Sequence, residues 1–497
     1  MAKGGSEFAG RDWNARRTTV NADASWPAAD QAKARVLRIQ TKLHQWATDD
    51  PDRRFDDLYN LVYDPSVLVD AWTRVKGNRG ARSAGVDGHS AHHITTVVGE
   101  QVFLAGLRDD LKARRFCPEP VREVMIPKRD GKRRRLGIAT VCDRVVQAAL
   151  KTVLEPILEA DFKPCSYGFR PGRRVQDAIA EVHFFTSRSY EWIVEGDITA
   201  CFDEISHVGI LDRLRARVAD KRVLGLVKAF LKAGILSEDG VERHPITGTP
   251  QGGILSPLLS NLALSVLDEH FAAAWEGFAT DYARRKRRSK GLANYRLVRY
   301  ADDWVVLVAG DRADAEVLRE QAAAVLSTMG LSLSIEKTRI AHIDEGFDFL
   351  GRRVQRHTKR GTKHQHVYTY PSKGALASIK GKVRAGTPRS TDQSLADLCD
   401  RLNPALRGWA THFRHDVSKA TFSYLRAYVW RRVVGWLRKK HPRASWKQLR
   451  RRYLPGWWPT EGEKTLFNPS SVPVTRYRYR GDRIPSPWAK QTETDAA

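Results

Sequence analysis

Residues 297–308 read LVRYADDWVVLV. Two adjacent aspartates, Asp302 and Asp303, break an apolar, β-branched run that otherwise suits a buried strand. An unpaired buried carboxylate is costly, and two side by side also repel. The pair therefore demands a positive partner. Successive strand residues point to opposite faces, so gathering both carboxylates in one place calls for a tight hairpin turn here. A second stretch has the same oddity: WIVEGDI (192–198) is an apolar strand that runs into Asp197. Three carboxylates converging from two strands offer hard, oxygen-only ligation, which selects Mg²⁺ over zinc. Two such ions, about 3.5–4 Å apart, activate a hydroxyl and neutralise a leaving pyrophosphate in phosphoryl transfer. The expected positive partner is thus a pair of Mg²⁺ ions with a nucleoside triphosphate.

Bulk composition narrows the setting. The 497 residues suffice for two to four domains, and 42% hydrophobic with 9% aromatic content describes an ordinary globular chain. No apolar run approaches the roughly 18 residues of a membrane span, and no apolar stretch follows the basic N-terminus, so neither membrane insertion nor secretion is expected. Five scattered cysteines without a C-x-x-C pair suit a reducing cytoplasm and offer no zinc site. Charge is uneven. Of the net +27, residues 351–497 carry +23, from 32 Lys+Arg against 9 Asp+Glu. A cationic module interleaved with tryptophan and tyrosine points to nucleic acid rather than to a merely solvated surface.

Along the chain, residues 1–30 read as a polar leader. Val36, Ile39, Leu43 and Trp46 recur at helical spacing, and further helices are expected at about 64–77 and 98–116. PVREVMIPKRDGKRRRLGIATV (120–141) reads as a hairpin turning at Asp130-Gly131, followed by an amphipathic helix over 142–162. GTPQGGILSPLLSNLAL (248–264) joins a glycine loop to a helix, with Ser256 as N-cap and Pro257 in the first helical position. Another helix is expected at 312–329. The mixture predicts an α+β body. From 371 onward the pattern is helical: Phe422, Leu425, Val429, Val433 and Trp436 trace one stripe, with Arg426, Arg432, Lys439 and Lys440 on other faces. Residues 455–497 read as a basic, irregular extension.

These blocks together resemble the group II intron-encoded reverse transcriptase/maturases. The resemblance rests on AGVDG, IPKRDGKRRRLGI, SYGFRPGR, DITACFD, GTPQGGILSPLLSNL, RYADD, EKT and FDFLG, in that order over roughly 60–360, and on LNPALRGWATHFRH beyond. It implies a right-hand polymerase, with fingers and palm built on an antiparallel sheet over 59–360. A leader and helical extension (1–58) would precede them. A helical thumb or maturase domain (361–454) and the extension (455–497) would follow. It implies an RNA-directed DNA polymerase that copies intron RNA and assists splicing of its intron, with group II intron RNA, an RNA template, a DNA primer and dNTPs as partners. The oligomeric state is left open.

Residue by residue, the resemblance makes Asp197, Asp302 and Asp303 the metal triad, with the Ile198 carbonyl as a further ligand. Phe202 falls where a ring beneath the sugar excludes a 2′-hydroxyl, although the same residue suits a plain core position. Lys128 and Arg134 flank the hairpin turn and match positions that grip the incoming nucleotide, with Arg122 a further candidate. Gln251 matches the residue at the dNTP ribose. Lys337 matches a lysine that protonates the leaving pyrophosphate; an ordinary salt bridge is the competing role. Arg170 and Arg173 match template contacts. Arg431, Arg432, Lys439 and Lys440 are expected to meet RNA phosphates. His357, His364 and His366 lack acid or cysteine partners at ligand spacing and read as RNA-facing or merely exposed.

Many relatives carry an H-N-H endonuclease after the maturase domain. No cysteine or histidine follows residue 455, so that nuclease is expected to be absent, and integration would use a nick or 3′ end made elsewhere. Two other readings stay open: a domesticated polymerase acting in defence or repair, and an RNA-binding splicing factor whose polymerase is idle. The intact triad and the Gln251 loop weigh against the idle enzyme, and Phe202 against an RNA-templated RNA polymerase. A catalytic intron RNA enclosing the gene would favour the mobile-intron reading.

Overall fold

A computed structural model describes residues 26–127, 133–237, 242–243, 247–249, 251–278, 280–359 and 361–489. Its helices begin with α1 (Ala29–Asp49), α2 (Pro65–Gly77) and α3 (Glu100–Lys112). The hairpin β1 (Val121–Pro127) and β2 (Arg133–Ile138) follows, antiparallel as its sequence implies, then α4 (Val141–Asp161). Helix α4 is buried nearly all round and carries Pro156 inside it. A proline lacks the N–H that would reach the carbonyl four residues back. Gln40 of α1 supplies the missing donor: its Nε2 meets Thr152 O at 2.9 Å. The helix defect is thereby turned into a tertiary contact.

Next come α5 (Val175–Thr186), β3 (Trp192–Gly196), α6 (His207–Arg215), α7 (Lys221–Lys232), α8 (Ser256–Gly277) and α9 (Asp281–Ser289). Leu255, not Ser256, caps α8 from a helical conformation without a side-chain hydrogen bond, and Pro257 sits one position later than expected. Strands β4 (Asn294–Tyr300) and β5 (Asp303–Ala309), helix α10 (Arg312–Ser327) and strand β6 (Arg339–His342) complete a sheet of order β4-β5-β3-β6, antiparallel throughout. Both faces of this sheet are covered, which is why β5 reads as continuous Val and Leu. Val306 and Val308 enter the core shared with the N-terminal helices, while Val305 and Leu307 face α5.

Three further strands, β7 (Phe347–Phe349), β8 (Arg352–Thr358) and β9 (Gln365–Pro371), lead to α11 (Lys373–Gly386), α12 (Leu395–His412), α13 (Lys419–Lys440) and α14 (Trp446–Tyr453). The α13 stripe of Phe422, Leu425, Val429, Val433 and Trp436 is buried in full. A buried ion pair, Arg352 Nε to Asp416 Oδ2 at 2.8 Å, fastens β8 to the helices. Among the described residues no helix is long and apolar enough to cross a membrane.

Over its described residues, 455–489, the extension has little regular structure yet is docked against the body. Tyr477 donates to Asp177 (2.9 Å), Arg480 pairs with the same carboxylate (2.8 Å), and Asp482 meets Arg296 (2.9 Å). Ile484 and Trp488 are buried, and the Trp488 ring lies 5.8 Å from that of His44 in α1. The segment straps the last helices to the first.

Candidate active site

In the ladder, Tyr300 faces Asp303 and Gly196 faces Trp304. Ala301 and Asp302 therefore form the tight turn the sequence requires, with Ala301 at φ 58°. Asp197, one step past Gly196, comes alongside Asp303 at the same end of the sheet. Gly196 allows this approach: a Cβ there would stand 1.9 Å from the Trp304 ring.

Charge crowds at this end. The Asp303 carboxyl is pushed up to about 6, by burial first and then by the carboxylates of Asp302 and Asp197, against the opposing pull of Lys337. By its accessible surface the residue is exposed. An all-oxygen, electrostatically coupled set of this kind suits a hard divalent cation. Among the described residues no three His, Cys, Asp or Glu side chains are already gathered as a metal cage. Lys337 Nζ instead holds Asp197 Oδ2 at 2.9 Å. The turn carrying Lys337 also grips the Asp197 backbone, Ser334 N donating to Asp197 O at 2.8 Å, and Ile198 bridges to Leu333.

Behind the turn lies a network that sequence reading missed. Arg299, fully buried, donates to Asp268 (Nε–Oδ1 2.7 Å), Asn261 (2.9 Å), Ser166 (2.8 Å) and the Ala301 carbonyl (2.9 Å). It ties the aspartate turn to α8 and to the SYGFRPGR loop. That loop presses close: a Cβ on Gly168 would lie 2.2 Å from Ala301 N. An arginine in a buried strand and an acid in an apolar helix were the available signals. Another unforeseen feature is α9, whose ARRKRR run exposes Arg285, Lys286 and Arg288.

Phe202 and Gln251 are brought together. Thr249 N donates to Phe202 O at 2.6 Å, and Gln251 Nε2 reaches Asp203 Oδ2 at 3.3 Å. Phe202 is half-buried rather than core. Gly137 N donates to Gln251 O at 2.8 Å, which docks the β1–β2 hairpin onto the glycine loop. Arg134 is exposed on β2; Lys128 lies outside the described residues.

Several other candidates are engaged inside the protein. Arg170 is not open to a template: it is buried, chelates Glu159 (2.8–3.1 Å) and donates to three backbone carbonyls. Arg122 spends its guanidinium on Ala84 O (2.8 and 3.2 Å), holding the AGVDG loop. Arg173 is half-buried, donates to Pro164 O at 3.0 Å, and is pulled down to about 10 by burial and the neighbouring Arg170 charge. In α13, Lys440 Nζ holds Thr391 O (2.8 Å) and Gln393 O (2.9 Å), and Arg432 holds Thr387 Oγ1 (2.9 Å). Arg431 and Lys439 are exposed, as are His357, His364 and His366.

A hairpin that presents paired carboxylates beside a third strand-end acid, backed by helices, defines a nucleotidyl-transferring polymerase palm. Comparison with known proteins agrees. The reverse transcriptase (RNA-dependent DNA polymerase) family matches residues 126–354, and the group II intron, maturase-specific domain matches residues 376–454. Protein YkfC of Escherichia coli (strain K12) is 35% identical over 377 residues, covering 70% of this chain and 97% of that protein. The group II intron-encoded protein LtrA of Lactococcus lactis subsp. cremoris is 29% identical over 406 residues, covering 70% of this chain and 65% of LtrA. Nuclear intron maturase 1, mitochondrial, of Arabidopsis thaliana is 26% identical over 331 residues, 51% of this chain and 45% of that protein. The chain belongs to the group II intron-encoded reverse transcriptase/maturases, a family of RNA-directed DNA polymerases with a maturase domain.

Proposed function

We propose that this chain extends a DNA 3′ end on an RNA template using dNTPs and two Mg²⁺ ions, and that its C-terminal helices bind a parent group II intron to assist splicing and mobility. The observation that carries this reading is the crowding of Asp197, Asp302 and Asp303 at one end of the sheet. When bound, the metal ions would activate the primer hydroxyl and offset charge on the departing pyrophosphate. Asp197, Asp302 and Asp303 would hold them, with the Ile198 carbonyl assisting. Lys337, freed from Asp197, is then placed to give a proton to the pyrophosphate. Arg134 and Lys128 would grip the triphosphate, Gln251 the ribose, and the Phe202 ring would exclude a 2′-hydroxyl. Fingers and palm are assigned to 59–360, the thumb to 361–454 and the strap to 455–497.

The test is primer extension by the purified chain on an RNA template, with and without Mg²⁺ chelation. Extension that needs Mg²⁺ supports the reading; its absence with active controls overturns it. In the same assay, Phe202→Val should raise rNTP use relative to dNTP about tenfold or more, equivalent to about 1.4 kcal/mol. An unchanged ratio returns Phe202 to a packing role.

The maturase half is tested on α13. Removing the exposed charges (Arg431→Ser with Lys439→Ser) should weaken intron binding and flatten its salt dependence by roughly one to two phosphates' worth. Extension on a short primer–template should suffer less. Lys440→Ser should instead lower thermal stability, by about 1–3 kcal/mol, because two linker carbonyls lose their donor. Equal losses of binding and extension in the first variant would make α13 a primer clamp only.

A further inference from the structure

The docked extension builds a second cleft, lined by none of the three carboxylates. It is a recess of about 1200 Å³ between α5, the β8–β9 hairpin and residues 476–479. The alternation RYRY sets its wall, since residues two apart in an extended chain share a face. Tyr477 and Tyr479 turn toward α5: Tyr477 donates to Asp177 (2.9 Å), and the Tyr479 ring stacks on Phe184 with centroids 4.4 Å apart. Arg476 and Arg478 are left on the outer face, exposed and lining the recess, with no ion pair among the described residues. The acids of the recess are already spent. Glu191 pairs with Arg356, and Asp416 with Arg352. The opposite wall carries the half-buried ring of Tyr368 and the exposed ring of His366.

The recess is larger than the roughly 300–1000 Å³ of an ordinary small-molecule pocket, and its surplus charge is positive. The rings of Tyr368 and His366 meet each other only edge-on, at 6.3 Å between centroids; unpaired arginines beside such rings recognise a backbone of phosphodiesters with free bases. We propose that this cleft binds a single-stranded stretch of polynucleotide, phosphates on Arg476 and Arg478 and a base against Tyr368 or His366.

The full chain is titrated with polyuridylate of about 20 nucleotides, and with oligothymidylate of equal length, across a salt series. Arg476→Ser/Arg478→Ser should lower polyuridylate affinity about tenfold near 0.1 M salt and reduce the slope of log K against log salt by roughly 1.4, two contacts at about 0.7 each. Arg476→Lys/Arg478→Lys should restore the slope. Tyr368→Ala, which leaves charge untouched, should weaken binding several-fold without moving the slope. As a control, Arg312→Ser/Arg319→Ser removes the same charge from α10, which does not line the cleft, and should change affinity less than about twofold. A larger loss on RNA than on DNA assigns the strand to RNA, and equal losses assign it to the shared phosphodiester; both support the cleft. Serine-pair binding equal to wild type, or no weaker than the α10 control, overturns it.

Discussion

Asp302→Ala is expected to cut dNTP incorporation on an RNA template by at least about 10³-fold, because the chemical step loses a carboxylate that holds its metal ions. RNA affinity should stay near wild type, since that binding is dominated by Lys and Arg elsewhere. Near-normal extension by this variant would remove the two-metal assignment. Asp303 adds a pH signature. Its carboxyl sits at about 6, above the 3.8 of a free aspartate, so proton and metal compete for the same oxygens. At limiting Mg²⁺, activity should fall as pH drops through about 6, and added Mg²⁺ should move that midpoint lower. A midpoint insensitive to Mg²⁺ would separate the titrating group from the metal site.

The same shift is a statement about stability. A carboxyl whose folded value lies above its unfolded one favours folding only when protonated. Its ionised form therefore opposes folding, in full above about 6 and vanishing below about 4. Asp303→Asn removes that opposition, so the variant should melt somewhat higher than wild type at neutral pH while losing extension. The site gives up stability for chemistry.

How far the sequence foretold this site depends on whether a residue's reason is local. The aspartate pair was legible because it breaks an apolar strand, and the turn it demanded lies at Ala301–Asp302. The α13 stripe was legible because helical spacing alone sorts buried from exposed positions. Arg170 misled: an arginine in a glycine-proline loop looks the same whether it meets a template or Glu159, and the partner comes from another element. Lys440 failed likewise, since the carbonyls it holds belong to a distant linker. The extension read as irregular because its order comes from Asp177 and Arg296, far away in the chain.

Arg299 shows the same principle at its strongest, and replacing it should have the largest effect on the fold. Arg299→Met leaves Asp268 charged and fully buried without a partner, a loss of about 3–5 kcal/mol. Asn261, Ser166 and the Ala301 carbonyl lose donors at the same time. Adding Asp268→Leu removes the stranded charge, and buried pairs replaced by apolar groups are often nearly neutral in stability. The double variant should therefore regain most of the lost melting temperature. It should not regain activity. No donor then fixes the Ala301 carbonyl, and Ala301 must hold a left-handed conformation that alanine disfavours by roughly 1–2 kcal/mol. The aspartate turn would relax, and kcat should remain depressed at unchanged template affinity. Measuring denaturant unfolding and primer extension on both variants separates the two roles. If activity returns together with stability in the double variant, Arg299 only neutralises Asp268; if it stays low, Arg299 is a positioning residue that holds the catalytic turn through its backbone.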